Sequence, residues 1–146
     1  MADRISSVNE VCLNVRRGDF VSISVANQHH GVCETDYFSR AVNIIGEKVS
    51  NPHLFIFSDD TEWCRANLRF EHPSTLVDHA YAGKKFGQHL QLMIMCQHYI
   101  ISNSSFGWWA AWLNTNKKKI VCAPEKWFNT HDYDTKDVIP ANWIKF

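Results

Sequence analysis

The feature that most constrains this chain is an alternation of two patterns. Short continuous apolar runs are separated by longer stretches with helical spacing. Val11–Val15 and the HLFIF run at His53–Phe57 are of the first kind. Both read as buried strands, because a strand covered on both faces of a parallel sheet is apolar throughout. Between them, Thr35 can cap a helix whose apolar residues Phe38, Ala41, Val42, Ile45 and Val49 recur three and four apart. Asn51-Pro52 ends it. Asp59 or Asp60 can cap a second helix running to Leu68. A strand at Thr75–Asp78, a helix at Phe86–His98, a strand at Tyr99–Ser102, a helix at Ser105–Asn114 and a strand at Lys119–Cys122 follow. From Glu125 the tail is aromatic and irregular. This order predicts one α/β domain over residues 1–146, a Rossmann-like parallel sheet flanked by helices. In such sheets ligands gather at the carboxyl ends of the strands.

Several function classes are excluded by composition and by missing motifs. Basic and acidic residues are equal at 15 each, so the basic excess of a nucleic-acid-binding domain is absent. Any bound anion must be held by a few placed groups. No apolar run approaches the ~20 residues that span a bilayer, and the polar start MADRISSVNE lacks a signal-peptide core. The five cysteines are odd in number and form no CxxC pair, which fits reduced core residues of a cytoplasmic protein. There is no P-loop, no GxGxxG and no GxSxG elbow. His29, His30 and Cys33 lack a suitably spaced fourth ligand for zinc. Asp132-Tyr133-Asp134 spells D-x-D but lies in a polar tail, so no metal is expected.

Three segments at or just after strand ends remain. In NVRRGDF (14–20), strand alternation puts Asn14 and Arg16 on one side and Val15 and Arg17 on the other. Asp19 can neutralise one arginine. The other is either a surface cation or the fork for an anion. In FSDDTEW (57–63), Ser58 or Asp59 caps a helix, or an aspartate carries chemistry. In SNSSFGWWAAWL (102–113), a strand runs through small polar residues into a helix start. That is a serine N-cap or a phosphate cradle of backbone N–H groups. The tryptophans that follow read as packing the helix against the sheet.

Taken together, these segments resemble the α-1,2-fucosyltransferases of glycosyltransferase family 11. The family pattern HxRRGD, FSDDxxW and CxHxIISNSSFSWWAAWLN is close to residues 14–19, 57–63 and 96–114, and the likeness runs from Val11 to Trp127. The resemblance implies one lobe of a GT-B-like enzyme that moves L-fucose from GDP-fucose to the 2-hydroxyl of a galactoside, with inversion and without a metal or other cofactor. It places Arg16 on the β-phosphate, and Ser104, Ser105 and the Phe106 N–H on the pyrophosphate. Asp19 would order the arginines, with Arg17 as its partner. Asn14 and His89 stand where the family has His and Asp, near the guanine or its phosphates. If His89 faces solvent, Asp78 is the alternative reader of the base. Family members also carry an N-terminal acceptor lobe, expected to be absent here, so the isolated chain should be inactive. A degenerate nucleotide-sugar-binding module is the alternative. The resemblance leaves room for peripheral membrane association of the full-length protein.

Overall fold

The computed structural model describes residues 1–130 and 134–146. Short helix α1 (Ala2–Ile5) precedes β1 (Asn9–Val15), and two short helices, α2 (Gly18–Ser22) and α3 (Ser24–His30), follow it. Then come α4 (Thr35–Lys48), β2 (Pro52–Ser58), α5 (Thr61–Asn67) and β3 (Ser74–Leu76). Two 3-10 turns lead into α6 (Gly87–Met95), followed by β4 (His98–Ile100), α7 (Ser105–Leu113), β5 (Val121–Ala123) and β6 (Ile144–Lys145).

All neighbouring strands pair in parallel, in the order β3-β2-β1-β4-β5-β6. The order reverses between β1 and β4, and this is the strand order of a dinucleotide-type doubly wound sheet. The predicted fold class is therefore the one observed. Alternation along β1 separates two cores. Val11, Leu13 and Val15 face α4 through Phe38, Ala41, Val42 and Ile45. Cys12 faces the opposite layer with Phe55, Phe57, Met93, Ala110 and Ala111. All five cysteines are buried and unpaired, and burial pushes the Cys33 and Cys64 thiols up to about 11. No helix among the described residues is long and apolar enough to cross a membrane.

The structure corrects several sequence expectations. The helix predicted over Phe86–His98 is shorter, because Phe86 is left-handed and Cys96 is extended. Residues 18–30, which carried no predicted element, form α2 and α3. Val21, Ile23 and Val25 are β-branched and exposed there, so no apolar period marks these helices. The irregular tail returns to add β6 at the sheet edge. The tryptophans of α7 do not all pack on the sheet. Gly107, Ala110 and Ala111 take that face, and Trp109 and Trp112 are half exposed. Trp108 is anchored, its Nε1 donating to the Val138 carbonyl at 2.7 Å.

Candidate functional site

A cavity of about 600 Å³ opens at the carboxyl ends of β1, β2 and β4, at the point where strand order reverses. That volume lies within the range of small-ligand sites. Its floor is built by a link between β1 and the segment after β4. The Ser102 hydroxyl donates to the Asn14 carbonyl at 2.8 Å and accepts from the Arg16 N–H at 3.1 Å. Ser102 is fully buried, so this link fixes where the strand lets Arg16 go.

Arg16 is held by two carboxylates. Its Nη1 donates to Asp59 at 2.7 Å and its Nη2 to Asp19 at 2.6 Å. The other oxygen of Asp59 accepts from the Arg17 N–H at 2.9 Å. Gly18 lies so close that a Cβ there would meet Asp59 Oδ2 at 2.4 Å. The guanidinium also stands over the Phe20 ring at 5.2 Å. Two bonds leave Arg16 further N–H donors, and about a third of its side chain is exposed.

Arg17 goes the other way, as strand alternation requires. It stacks on Trp63 at 3.9 Å and has only about a tenth of its side chain exposed. Glu34 stands 3.7 Å from Nη1, close enough to compensate charge but too far for a hydrogen bond, and Nε and Nη1 have no hydrogen-bond partner among the described residues. The expected Arg17–Asp19 pair is therefore corrected. Asp19 lies in the first turn of α2, three residues after Arg16, and takes that residue instead.

The opposite wall is the start of α7. Ser104 is its N-cap, but its side chain makes no capping bond. The hydroxyls of Ser104 and Ser105 and the first N–H groups are thus available at a positive helix end. Asn14, 6% exposed, packs beneath, and its Oδ1 lacks a hydrogen-bond partner among the described residues. A Cβ on Gly107 would meet that oxygen at 2.4 Å and the Asn14 Cγ at 2.8 Å. Gly107→Ala should lower stability by about 1–3 kcal/mol, the usual cost of overpacking. A melting temperature equal to the parent's would show that the strand-to-helix approach is looser than described.

His89 forms a third side. It is 2% exposed, not solvent-facing, and its Nε2 lies 3.1 Å from the Asp78 carbonyl. A carbonyl only accepts, so Nε2 carries the proton and Nδ1 is left as an acceptor. Burial lowers the pKa of His89 below its ordinary value. The Phe57 and Phe86 rings each stand 5.6 Å from it. Asp78 itself is exposed, and its carboxylate caps a 3-10 turn through the Ala80 N–H.

Of the residues singled out from sequence, Asn14, Arg16, His89, Ser104, Ser105 and Phe106 thus line one cavity. Asp19 acts through Arg16, while Arg17 and Asp78 lie outside the lining. The sequence offers Asp59 either as a cap or as a residue that carries chemistry. Asp60 is the cap, accepting from the Trp63 N–H at 3.0 Å, which leaves Asp59 for the arginines. Lys85, Phe86, Trp127 and Phe128 also line the cavity without a sequence signal, and His30, weighed from sequence only as a zinc ligand, joins them. The D-x-D at 132–134 lies in part outside the described residues, which omit 131–133. Among the described residues, no three His, Cys, Asp or Glu side chains converge as a metal site.

The sequence model of glycosyl transferase family 11 matches residues 1–146. The chain belongs to that family. It is 34% identical over 146 residues to an alpha-1,2-colitosyltransferase of Escherichia coli, covering 99% of this chain and 50% of that protein. It is 35% identical over 122 residues to the O-antigen biosynthesis glycosyltransferase WbnK of the same species, covering 84% of this chain and 40% of the relative. A galactoside alpha-(1,2)-fucosyltransferase 2 of Mus musculus is 29% identical over 107 residues, 70% of this chain and 30% of that one. The family 11 chain therefore spans half or less of the length of these relatives. No solved structure gives a significant match.

Proposed function

We propose that the cavity binds the GDP moiety of GDP-fucose. In the whole protein, the fucosyl group would then pass to the 2-hydroxyl of a galactoside with inversion. The observation that carries this reading is a juxtaposition. Arg16, set by Asp19 and Asp59, shares the cavity with the uncapped start of α7, at the switch point of the sheet. A diphosphate lying between them would receive a guanidinium from one side and backbone N–H groups from the other. As the bond from the anomeric carbon to the β-phosphate oxygen breaks, negative charge grows on GDP, and both groups would stabilise it. Inversion follows when the acceptor oxygen enters opposite the departing phosphate. We assign the base that takes the acceptor proton to none of these residues, and expect the 146 residues alone to transfer no fucose.

The relative named for colitose makes that sugar the second donor to try. The competing reading, a nucleotide-sugar-binding module without turnover, rests on Asn14 and His89 in place of His and Asp. Calorimetric titration with GDP, UDP and ADP, with and without EDTA, tests the binding reading. GDP should bind, with an affinity unchanged by chelation, because the remaining N–H donors of Arg16 and the uncapped start of α7 hold the phosphates directly. No GDP binding would end the reading, and loss on chelation would overturn its metal-free form. Product from GDP-fucose and lactose with this chain alone would show that the site is already complete.

A further inference from the structure

Residues 83–87 form a short strap that runs into the first residue of α6, with glycine at both ends. Gly83 has φ 65°, which glycine adopts freely. Gly87 is ordinary helix at φ −61°, with open space where a Cβ would stand. Between them, Lys85 (φ 51°, ψ 33°) and Phe86 (φ 59°, ψ 17°) are left-handed yet carry side chains. Left-handed backbone costs stability in any residue with a Cβ. A turn chosen for stability alone would put glycine at 85 and 86 and an ordinary residue at 87. The strap does the reverse, so the side chains of Lys85 and Phe86 are what the strain retains. Both line the cavity. Phe86 anchors the strap edge-on to the rings of His79 and His89, at 5.5 and 5.6 Å.

A second observation is electrostatic. Arg16 already faces two carboxylates, so the triad it forms with Asp19 and Asp59 carries a net negative charge. His30 and His89 line the same cavity, and burial biases both toward the neutral form. Among the described residues, Lys85 is the other basic side chain of the lining, and no ion pair or side-chain hydrogen bond engages it. Without Lys85 the charged side chains around the cavity would repel a diphosphate. With it they balance, and the start of α7 makes the site attractive to anions.

We propose that Lys85 is a second anion-contacting residue of this cavity, held over a bound nucleoside diphosphate by the strained strap. The proposal rests on the reading that the cavity receives such a ligand. Titration of the full chain with GDP and with inorganic pyrophosphate tests it, using Lys85→Met, Lys85→Arg and Lys85→Gly beside Arg16→Ala. Lys85→Met should weaken both ligands about tenfold, less so at high salt, and Lys85→Arg should restore most of the loss. Lys85→Gly should weaken binding equally while raising the melting temperature, a pairing of signs that a plain turn residue would not give. If Lys85→Met stays within about twofold of the parent while Arg16→Ala fails to bind, Lys85 is no contact and the cavity reading survives. If the parent binds pyrophosphate through Lys85 but not GDP, the nucleotide reading falls and the contact stands. A lower melting temperature for Lys85→Gly overturns the strain argument, and a parent that binds neither ligand overturns both proposals.

Discussion

Replacing Arg16 by alanine should weaken GDP binding by about 2–4 kcal/mol, the range for losing a charge-assisted clamp. Two effects add. The guanidinium is lost, and Asp19 and Asp59, which it held at 2.6 and 2.7 Å, are left uncompensated beside the incoming phosphates. Arg16→Lys should recover only part of the loss, because an ammonium cannot bridge both carboxylates and still present a fork. Arg17→Ala should behave differently. Its side chain lies against Trp63 and outside the cavity lining, so its removal should lower the melting temperature and leave GDP affinity nearly unchanged. Calorimetry and thermal melts of both variants check this. Loss of affinity from Arg17→Ala with none from Arg16→Ala would mean that the roles of the two arginines are exchanged.

That separation of neighbouring arginines was legible in the sequence, because a strand's period of two survives into the first residues beyond it. Their partners were not. Asp19 and Asp59 are both short, and only the turn after Val15 decides which arginine each can reach. The sheet was legible for a similar reason. Val11–Val15 and Leu54–Phe57 are buried on both faces, and such runs have few alternatives. The segment 18–30 was illegible because α2 and α3 expose Val21, Ile23 and Val25 and bury little. β6 was hidden because a strand of two residues has no period. In the site, Arg16 and SNSSF announced themselves by position after strands. Lys85 and Phe86 did not, since what marks them is a backbone conformation that composition does not report.

His89→Asp should have opposite effects on the empty and the GDP-bound protein. In the fold, Nε2–H of His89 donates to the Asp78 carbonyl from a 2% exposed position between the Phe57 and Phe86 rings. A carboxylate there cannot donate. It would face that carbonyl as a buried charge without a partner, lowering stability by about 1–3 kcal/mol or more. Guanine can relieve this, because its N1–H and 2-amino group offer two donors side by side, whereas uracil does not. The variant should therefore melt lower than the parent when empty. It should gain about 1–2 kcal/mol in GDP affinity with UDP unchanged. The pH dependence should change as well. In the parent, burial and the nearby His79 hold the pKa of His89 down, while the Asp78 carbonyl and carboxylate oppose them. A depressed pKa means that the unfolded chain takes up a proton the fold resists, so stability should fall as pH drops below about 6.5, and acceptor capacity only at lower pH, where the folded imidazole itself takes the proton. His30, also shifted downward, lines the same cavity and should leave part of that dependence in the variant. GDP and UDP titrations between pH 5 and 8 measure both effects. Equal changes for the two nucleotides would place residue 89 away from the base and leave the imidazole with only its structural bond to Asp78.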